Sequence, residues 1–130
     1  FAGIYDHQLR TLVYVNSGHN PPILINNDKL TLLEEGSTVL GAMHPLPFIN
    51  EGFITDLDEF LLFSYTDGVT ETENELNEEF GIERLKKYFG SNGYVDLKKI
   101  HQDIIIQLDD FKGRNGYKDD ITMLSCKVEL

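Results

Sequence analysis

The apolar pattern of this 130-residue chain changes its period at Thr66-Asp67-Gly68. Before this point, apolar and β-branched residues alternate in short runs bounded by Gly, Pro and Asn, as in β-strands. After it, apolar residues recur every three or four positions through two long segments, as in amphipathic helices. An alternating run then closes the chain. This order predicts an α+β fold with a mainly antiparallel sheet and helices on its outer face.

Turn and capping residues set the predicted boundaries. Strands are predicted at 12–15, 23–25, 29–33, 53–57, 60–65 and 121–128, with a connecting loop over 34–47. Asn26-Asn27-Asp28 is typical of a hairpin turn. One helix is predicted over 79–89, ending at Gly90, and a second begins after Asp96 as N-cap and ends at Gly113. Because 60–65 is nearly continuous in apolar residues, that strand is predicted to be central and buried on both faces.

Charge and cysteine content exclude several classes of function. The chain carries 22 acidic and 11 basic residues, a formal net charge of -11, which repels nucleic acid and anionic lipid. We therefore expect no nucleic acid partner and no membrane contact from this segment. Cys126 is the single cysteine, so an internal disulfide or a cysteine zinc cluster is excluded. A reducing, cytoplasmic location fits this best.

Two acidic positions are candidate metal ligands. Asp67 follows the buried run 60–65 and precedes Gly68, a residue that permits close backbone approach. Asp119 and Asp120 precede the last predicted strand, which we expect to be central. Carboxylate oxygens suit hard cations such as Mg²⁺ or Mn²⁺. Two alternatives remain open, because Asp-Gly is also a common turn signal and an acidic pair is also common at the end of a loop.

Histidines give weaker signals. His19 follows a predicted strand and Gly18, so a turn histidine held by local hydrogen bonds is the first interpretation. His7, His44 and His101 have no partners suggested by spacing, and no His/Cys set has zinc-site spacing. The sequence therefore offers no zinc site to compete with the carboxylates.

Four motifs, in order and spanning nearly the whole chain, carry a resemblance to a known family. They are Tyr14-Val15-Asn16-Ser17-Gly18-His19-Asn20-Pro21-Pro22, Tyr65-Thr66-Asp67-Gly68-Val69-Thr70-Glu71, Phe80-Gly81-Ile82-Glu83-Arg84-Leu85 and Asp119-Asp120-Ile121-Thr122. They resemble the stage-II-sporulation-E-like branch of the bacterial PPM (type 2C) metal-dependent serine/threonine phosphatases. Ser17 stands where this branch usually has alanine.

The resemblance implies a partial PPM-type α-β-β-α sandwich of two mainly antiparallel sheets flanked by helices. Residues 1–130 would form the carboxyl-terminal portion of a single phosphatase domain. The complete domain would hold two Mn²⁺ or Mg²⁺ ions, and a metal-activated water would be the nucleophile, so no side chain is predicted to be catalytic. The resemblance implies that Asp67 and Asp119 are metal ligands and that the neighbours of the site are Gly68, Asp120, Glu71 and His19.

Two departures from the family pattern limit this expectation. The first metal-binding motif, an Asp-Gly followed by Ser-Gly-His-Gly, is absent and would lie upstream of Phe1. The fragment alone is therefore expected to be inactive. Where many relatives carry Gly-Asp-Ser-Arg, this chain has Gly18-His19-Asn20, so no third ion is expected at that turn.

The implied activity is dephosphorylation of phosphoserine or phosphothreonine on a regulatory protein such as an anti-sigma-factor antagonist. The alternative is an inactive interaction domain that retains the phosphatase fold. A calcium-binding module is disfavoured, because the twelve-residue loop of alternating acidic ligands is missing. Without its upstream strands the fragment would expose a sheet edge, through which we expect it to be able to dimerise.

Overall fold

The computed structural model describes residues 1–92 and 96–129. Its elements are β1 (Ala2–Asp6), β2 (Thr11–Val15), β3 (Ile23–Asn26), β4 (Lys29–Leu32), β5 (Gly52–Ile54), β6 (Phe60–Tyr65), α1 (Asp67–Thr70), α2 (Gly81–Asn92), α3 (Leu97–Lys112) and β7 (Met123–Val128). The strands form a three-stranded sheet of order β1-β2-β5 and a four-stranded sheet of order β4-β3-β6-β7. The predicted α+β class with two mainly antiparallel sheets is confirmed.

Strand pairing follows the turn chemistry. Asn27 and Asp28 adopt positive φ angles of 48° and 62°, as expected for a tight hairpin turn, and β3 pairs antiparallel with β4 on either side of them. The predicted hairpin is therefore confirmed. In the other sheet, β2 lies between β1 and β5, and Val13 is opposite Ile4 on one side and Phe53 on the other.

The chain divides into two compact units, residues 1–62 with 127–130 and residues 63–126. In the first unit, Leu12 and Tyr14 of β2 share one buried cluster with Leu24 of β3 and Phe60 of β6. Both sheets therefore contribute to this core. Burial of these large side chains is the main favourable term, about 1.5–3 kcal/mol for each fully buried aliphatic or aromatic group.

The core of the second unit lies between α2, α3 and the end of β6. The Phe63 ring centroid is 5.0 Å from that of Phe89 on α2. The apolar residues that recur along α3 form one buried face, as expected for an amphipathic helix: Ile100, Ile104 and Leu108 are fully buried. Asp96 caps α3 as predicted, since its side chain accepts from the backbone N–H of Lys98 and Lys99, and Gly113 ends the helix at a φ of 60°.

Several predicted boundaries are wrong. Strand β1 was not predicted. The strand expected over 53–57 ends at Ile54, because Asp56 turns the chain at a φ of 58°. Helix α2 begins at Gly81 rather than at residue 79, and it continues through Gly90 to Asn92. Gly90 was the wrong stop signal because an exposed glycine costs a helix only about 1 kcal/mol relative to alanine.

The strands that flank the acidic motifs differ in position. β6 lies between β3 and β7, so its predicted central place is confirmed. β7 begins at Met123, two residues later than expected, and among the described residues it is an edge strand rather than a central one. Because β7 begins at Met123, Thr122 and the residues just before it lie outside the strand, where they can contact the chain that leaves β6. No helix in the described part of the chain is long and apolar enough to cross a bilayer.

Candidate metal centre

Asp67 is held in a tight turn directly after β6. It is exposed and is the first residue of α1, a single turn whose Val69 is fully buried. The Asp67 carbonyl accepts from Glu71 N–H at 2.8 Å and from Thr70 Oγ1 at 3.2 Å. The next carbonyl, that of Gly68, accepts from buried Thr72 Oγ1 at 2.7 Å. The backbone that carries the Asp67 carboxylate is thereby fixed, while the carboxylate itself faces solvent.

The segment around Thr66 lies against the segment that precedes β7. Thr66 N–H donates to the Thr122 carbonyl at 3.0 Å, and Thr66 Oγ1 donates to the Asp120 carbonyl at 3.0 Å. The same hydroxyl accepts from Thr122 N–H at 3.0 Å. Because it is occupied in this way, the Thr66 side chain makes no capping hydrogen bond to α1. These three bonds join the Asp67 and Asp119 segments at the end of β6.

Gly68 permits this approach. A β-carbon built on Gly68 would lie 2.5 Å from the Asp120 carbonyl oxygen and 3.4 Å from the Asp119 carbonyl carbon. Since the first distance is far inside van der Waals contact, a larger residue would force the two segments apart. The sequence prediction that Gly68 allows close backbone approach is confirmed.

A small cavity of about 80 Å³ lies beside this junction. Four of its seven lining residues are acidic and one is a lysine; the lining residues are Gly68, Glu71, Thr72, Glu73, Glu79, Lys118 and Asp119. Glu71 and Asp119, both named as site residues from the sequence, thus face the same cavity. The cavity is strongly acidic, which favours a cation over an anion.

The donor chemistry suits a hard divalent cation. Asp67 Oδ1 accepts from Gly68 N–H at 3.0 Å, and Asp119 Oδ1 accepts from Asp120 N–H at 2.7 Å. These bonds orient both exposed carboxylates. Mg²⁺ commonly binds through one or two carboxylates and keeps several waters. Within residues 1–92 and 96–129, however, His, Cys, Asp and Glu side chains form no group of three or more that could hold a metal ion. These residues therefore supply part of a site.

His19 lies in the turn that follows β2. Its backbone N–H donates to Asn16 Oδ1 at 2.9 Å, and its carbonyl accepts from Asn16 Nδ2 at 2.8 Å. His19 Nδ1 is 2.6 Å from the Asn20 carbonyl. The interpretation of His19 as a turn histidine held by local hydrogen bonds is confirmed, whereas its role as a neighbour of the metals stays a prediction.

Two further residues, Asn16 and Lys118, contribute to these segments and were not predicted from the sequence. Asn16 is buried and organises the His19 turn, since its Nδ2 also donates to the Leu33 carbonyl at 3.2 Å. Its position before Ser17-Gly18 is a usable signal, because Asn often bonds the backbone of a following turn. Lys118 lines the acidic cavity, with Nζ 2.5 Å from Glu73 Oε2. A single lysine in a loop gives no sequence signal of this kind.

Comparison with known proteins decides the family. The profile of the family Stage II sporulation protein E (SpoIIE) matches residues 1–129. The chain belongs to the SpoIIE family. A protein of similar sequence, Protein IcfG of Synechocystis sp., is 31% identical over 129 residues, covering 96% of this chain and 20% of IcfG.

Solved structures share the SpoIIE-type fold. The SiaA-PP2C domain of Pseudomonas aeruginosa matches with a TM-score of 0.79 at 17% identity, covering 94% of this chain and 48% of that one. The RsbU and RsbW domains of Rv1364c from Mycobacterium tuberculosis match with a TM-score of 0.65 at 24% identity, covering 95% of this chain and 34% of that one. The chain thus has the fold of a PP2C-type phosphatase domain and spans less than half the length of these relatives.

Proposed function

We propose that residues 1–130 are the carboxyl-terminal portion of a metal-dependent serine/threonine phosphatase domain. Asp67 and Asp119 are its metal ligands. The observation that carries the proposal is the junction at the end of β6, where Thr66 and Gly68 hold the backbone of the Asp67 segment against that of the Asp119 segment. Two-metal sites need carboxylates that converge from separate parts of the chain, and this junction supplies two of them.

The residues of this chain hold and orient the cations. Each of the two carboxylates accepts a hydrogen bond from the backbone N–H of the following residue, which restricts its orientation, so little side-chain freedom is lost when a cation binds. Mn²⁺ or Mg²⁺, when bound, supplies water activation and neutralises the phosphoryl group. Glu71 and Asp120 are neighbours of the site, and Glu71 adds negative charge to the cavity that Asp119 lines.

The remaining ligands are proposed to lie in an upstream part of the same domain. The first metal-binding motif of the family, an Asp-Gly followed by Ser-Gly-His-Gly, is absent from this sequence, and the described residues form no metal-binding group of three. The chain covers 48% of the SiaA-PP2C chain, which leaves room for such a part. We therefore infer that residues 1–130 alone bind Mn²⁺ or Mg²⁺ weakly and do not turn over substrate.

The substrate class follows from the family branch. We infer a phosphoserine or phosphothreonine on a regulatory protein such as an anti-sigma-factor antagonist. The motif resemblance and the fold shared with the RsbU and RsbW domains of Rv1364c support this. The alternative, an inactive interaction domain, is favoured by the incomplete donor set. Retention of Asp67 and Asp119 at one junction favours the enzyme.

A comparison of two proteins tests the proposal. One is residues 1–130, and the other extends upstream through an Asp-Gly and Ser-Gly-His-Gly motif. Hydrolysis of a phosphoserine peptide is measured for both at equal concentration and saturating Mn²⁺. We expect activity in the longer protein alone. Comparable rates would show that the metal centre is misplaced, and inactivity of both would support the interaction domain.

A further inference from the structure

The loop that precedes Asp119 is fastened to the segment that follows α1. Asn115 Nδ2 donates to the Asn74 carbonyl at 2.8 Å and to the Glu73 carbonyl at 3.3 Å. Lys118 Nζ lies 2.5 Å from Glu73 Oε2, and the backbone N–H of Arg114 donates to Glu75 Oε1 at 3.2 Å. We call these contacts between residues 73–75 and 114–118 the clamp.

The clamp is one of two attachments that flank Asp119. On the carboxyl-terminal side, Thr66 Oγ1 binds the Asp120 carbonyl and the Thr122 N–H. On the amino-terminal side, the clamp ends at Lys118, the residue immediately before Asp119. The first attachment is made by Thr66, the neighbour of Asp67, and the second reaches residues 73–75, which directly follow Thr72, whose hydroxyl donates to the Gly68 carbonyl. Asp119 therefore lies between two segments, 114–118 and 120–122, that are each bonded to residues near the Asp67 turn.

The contacts of the clamp differ in how far they are shielded from solvent. Asn115 is half-buried, and its two hydrogen bonds go to backbone carbonyls rather than to mobile side chains. The Glu73 side chain is 24% exposed, whereas that of Lys118 is 65% exposed. The Asn115 bonds are therefore expected to contribute more than the ion pair, because exposed ion pairs are weak.

We propose that the clamp sets the position of Asp119 relative to Asp67, and that Asn115, Lys118 and Glu73 are positioning residues of the metal centre. This inference rests on the proposed function, since it assigns Asp119 a cation to hold. It adds residues outside the four motifs. The clamp acts by holding backbone in place, and none of its three side chains needs to touch the cation.

The direction in which Mn²⁺ affinity changes when Lys118 is replaced distinguishes two roles for this residue. Lys118 lines the acidic cavity together with Glu71, Glu79 and Asp119. If Lys118 acted only as a local positive charge, removing it would strengthen Mn²⁺ binding. If it acts through the clamp, removing it frees the Asp119 loop and weakens Mn²⁺ binding. The two roles predict opposite changes in one measured affinity.

The affinity experiment uses the domain extended upstream through the missing motif. Mn²⁺ affinity is measured from the electron paramagnetic resonance signal of free Mn²⁺. We expect Lys118→Gln to weaken binding by about threefold to fivefold and Asn115→Ala by about fivefold or more. Lys118→Arg keeps the ion pair and should bind Mn²⁺ as the unsubstituted domain does. Lys86→Gln is the matched control, because Lys86 pairs with Glu83 on the surface of α2 and the charge change is identical.

A second readout needs no metal. Hydrogen exchange at the Thr66 and Thr122 amides reports the junction in the metal-free domain, and both amides should exchange faster in the Asn115→Ala and Lys118→Gln proteins. If Asp67→Asn binds Mn²⁺ as tightly as the unsubstituted domain does, the proposed function fails, and hydrogen exchange still decides whether the clamp orders the loop. Tighter Mn²⁺ binding by Lys118→Gln, or unchanged exchange at both amides, would overturn the positioning role.

Discussion

A β-carbon on Gly68 would lie 2.5 Å from the carbonyl oxygen of Asp120, so these two residues are closer together than any residue with a side chain at position 68 would permit. Gly68 lies within α1, and its backbone angles are open to any residue. The requirement for glycine is therefore one of space. It links the turn that carries Asp67 to the loop that carries Asp119 through backbone contact rather than through side chains.

Replacing Gly68 by alanine should destabilise the fold by about 1–3 kcal/mol, the usual cost of overpacking a filled site. The measurement is the urea midpoint of unfolding. Gly90→Ala is the matched control, because Gly90 is exposed within α2 and a β-carbon there meets nothing within 4 Å. That control should gain about 0.5–1 kcal/mol. Equal midpoints for the two variants would show that the junction tolerates a larger residue.

Thr66 should be replaceable by serine but not by valine. Valine matches threonine in shape but leaves the Asp120 carbonyl and the Thr122 N–H without their hydroxyl partner. We expect Thr66→Val to cost about 1–3 kcal/mol for two lost hydrogen bonds. Thr66→Ser keeps the hydroxyl and should stay close to the unsubstituted protein. Thermal unfolding of both variants measures the difference, and a valine variant as stable as the serine variant would contradict the role of the hydroxyl.

Asp67→Asn in the extended domain should abolish phosphatase activity and leave the fold intact. Asparagine keeps the side-chain oxygen that accepts from Gly68 N–H, but it removes the charge that a cation requires. The stability of the metal-free protein should stay equal or rise, because like charges are relieved. Asp120→Asn is the control, since the contacts of Asp120 described above are made by its backbone. Full activity of Asp67→Asn at saturating Mn²⁺ would exclude the ligand role.

Local chemistry explains which elements could be predicted. The Asn27-Asp28 turn and the Asp96 cap each depend on a few adjacent residues, and both are present. β1 could not be recognised because its side chains are exposed or, at Tyr5, half-buried, so it shows no alternation. It exists because it pairs with β2. Such pairing leaves no mark on the sequence of the strand itself.

The candidate metal centre, like the fold, could be predicted in part. The resemblance named Asp67 and Asp119, and the place of Gly68 after a buried strand correctly indicated close backbone approach. The clamp could not be foreseen, because Glu73 and Lys118 lie far apart in sequence and each looks like an ordinary surface charge. β7 was wrongly expected to be central, since apolar alternation does not say how many neighbours a strand has.

Tyr65→Phe should weaken the loss of stability at alkaline pH. Tyr65 is buried in β6 against Phe63, and burial raises the pKa of Tyr65 to about 12 from its ordinary value of 10.0. In the unfolded chain the phenol ionises at about pH 10, so the stabilising contribution is present below that pH and is lost as pH rises towards 12. The loss attributable to Tyr65 is at most about 3 kcal/mol. Partial burial, together with a hydrogen bond to a carboxylate, also raises the pKa of Tyr88 and of Tyr117 to about 12, so the phenylalanine variant should keep a smaller pH dependence. Urea midpoints at pH 8 and pH 11 measure the effect, and an identical decrease in the two proteins would show that Tyr65 ionises as readily in the fold as in the unfolded chain.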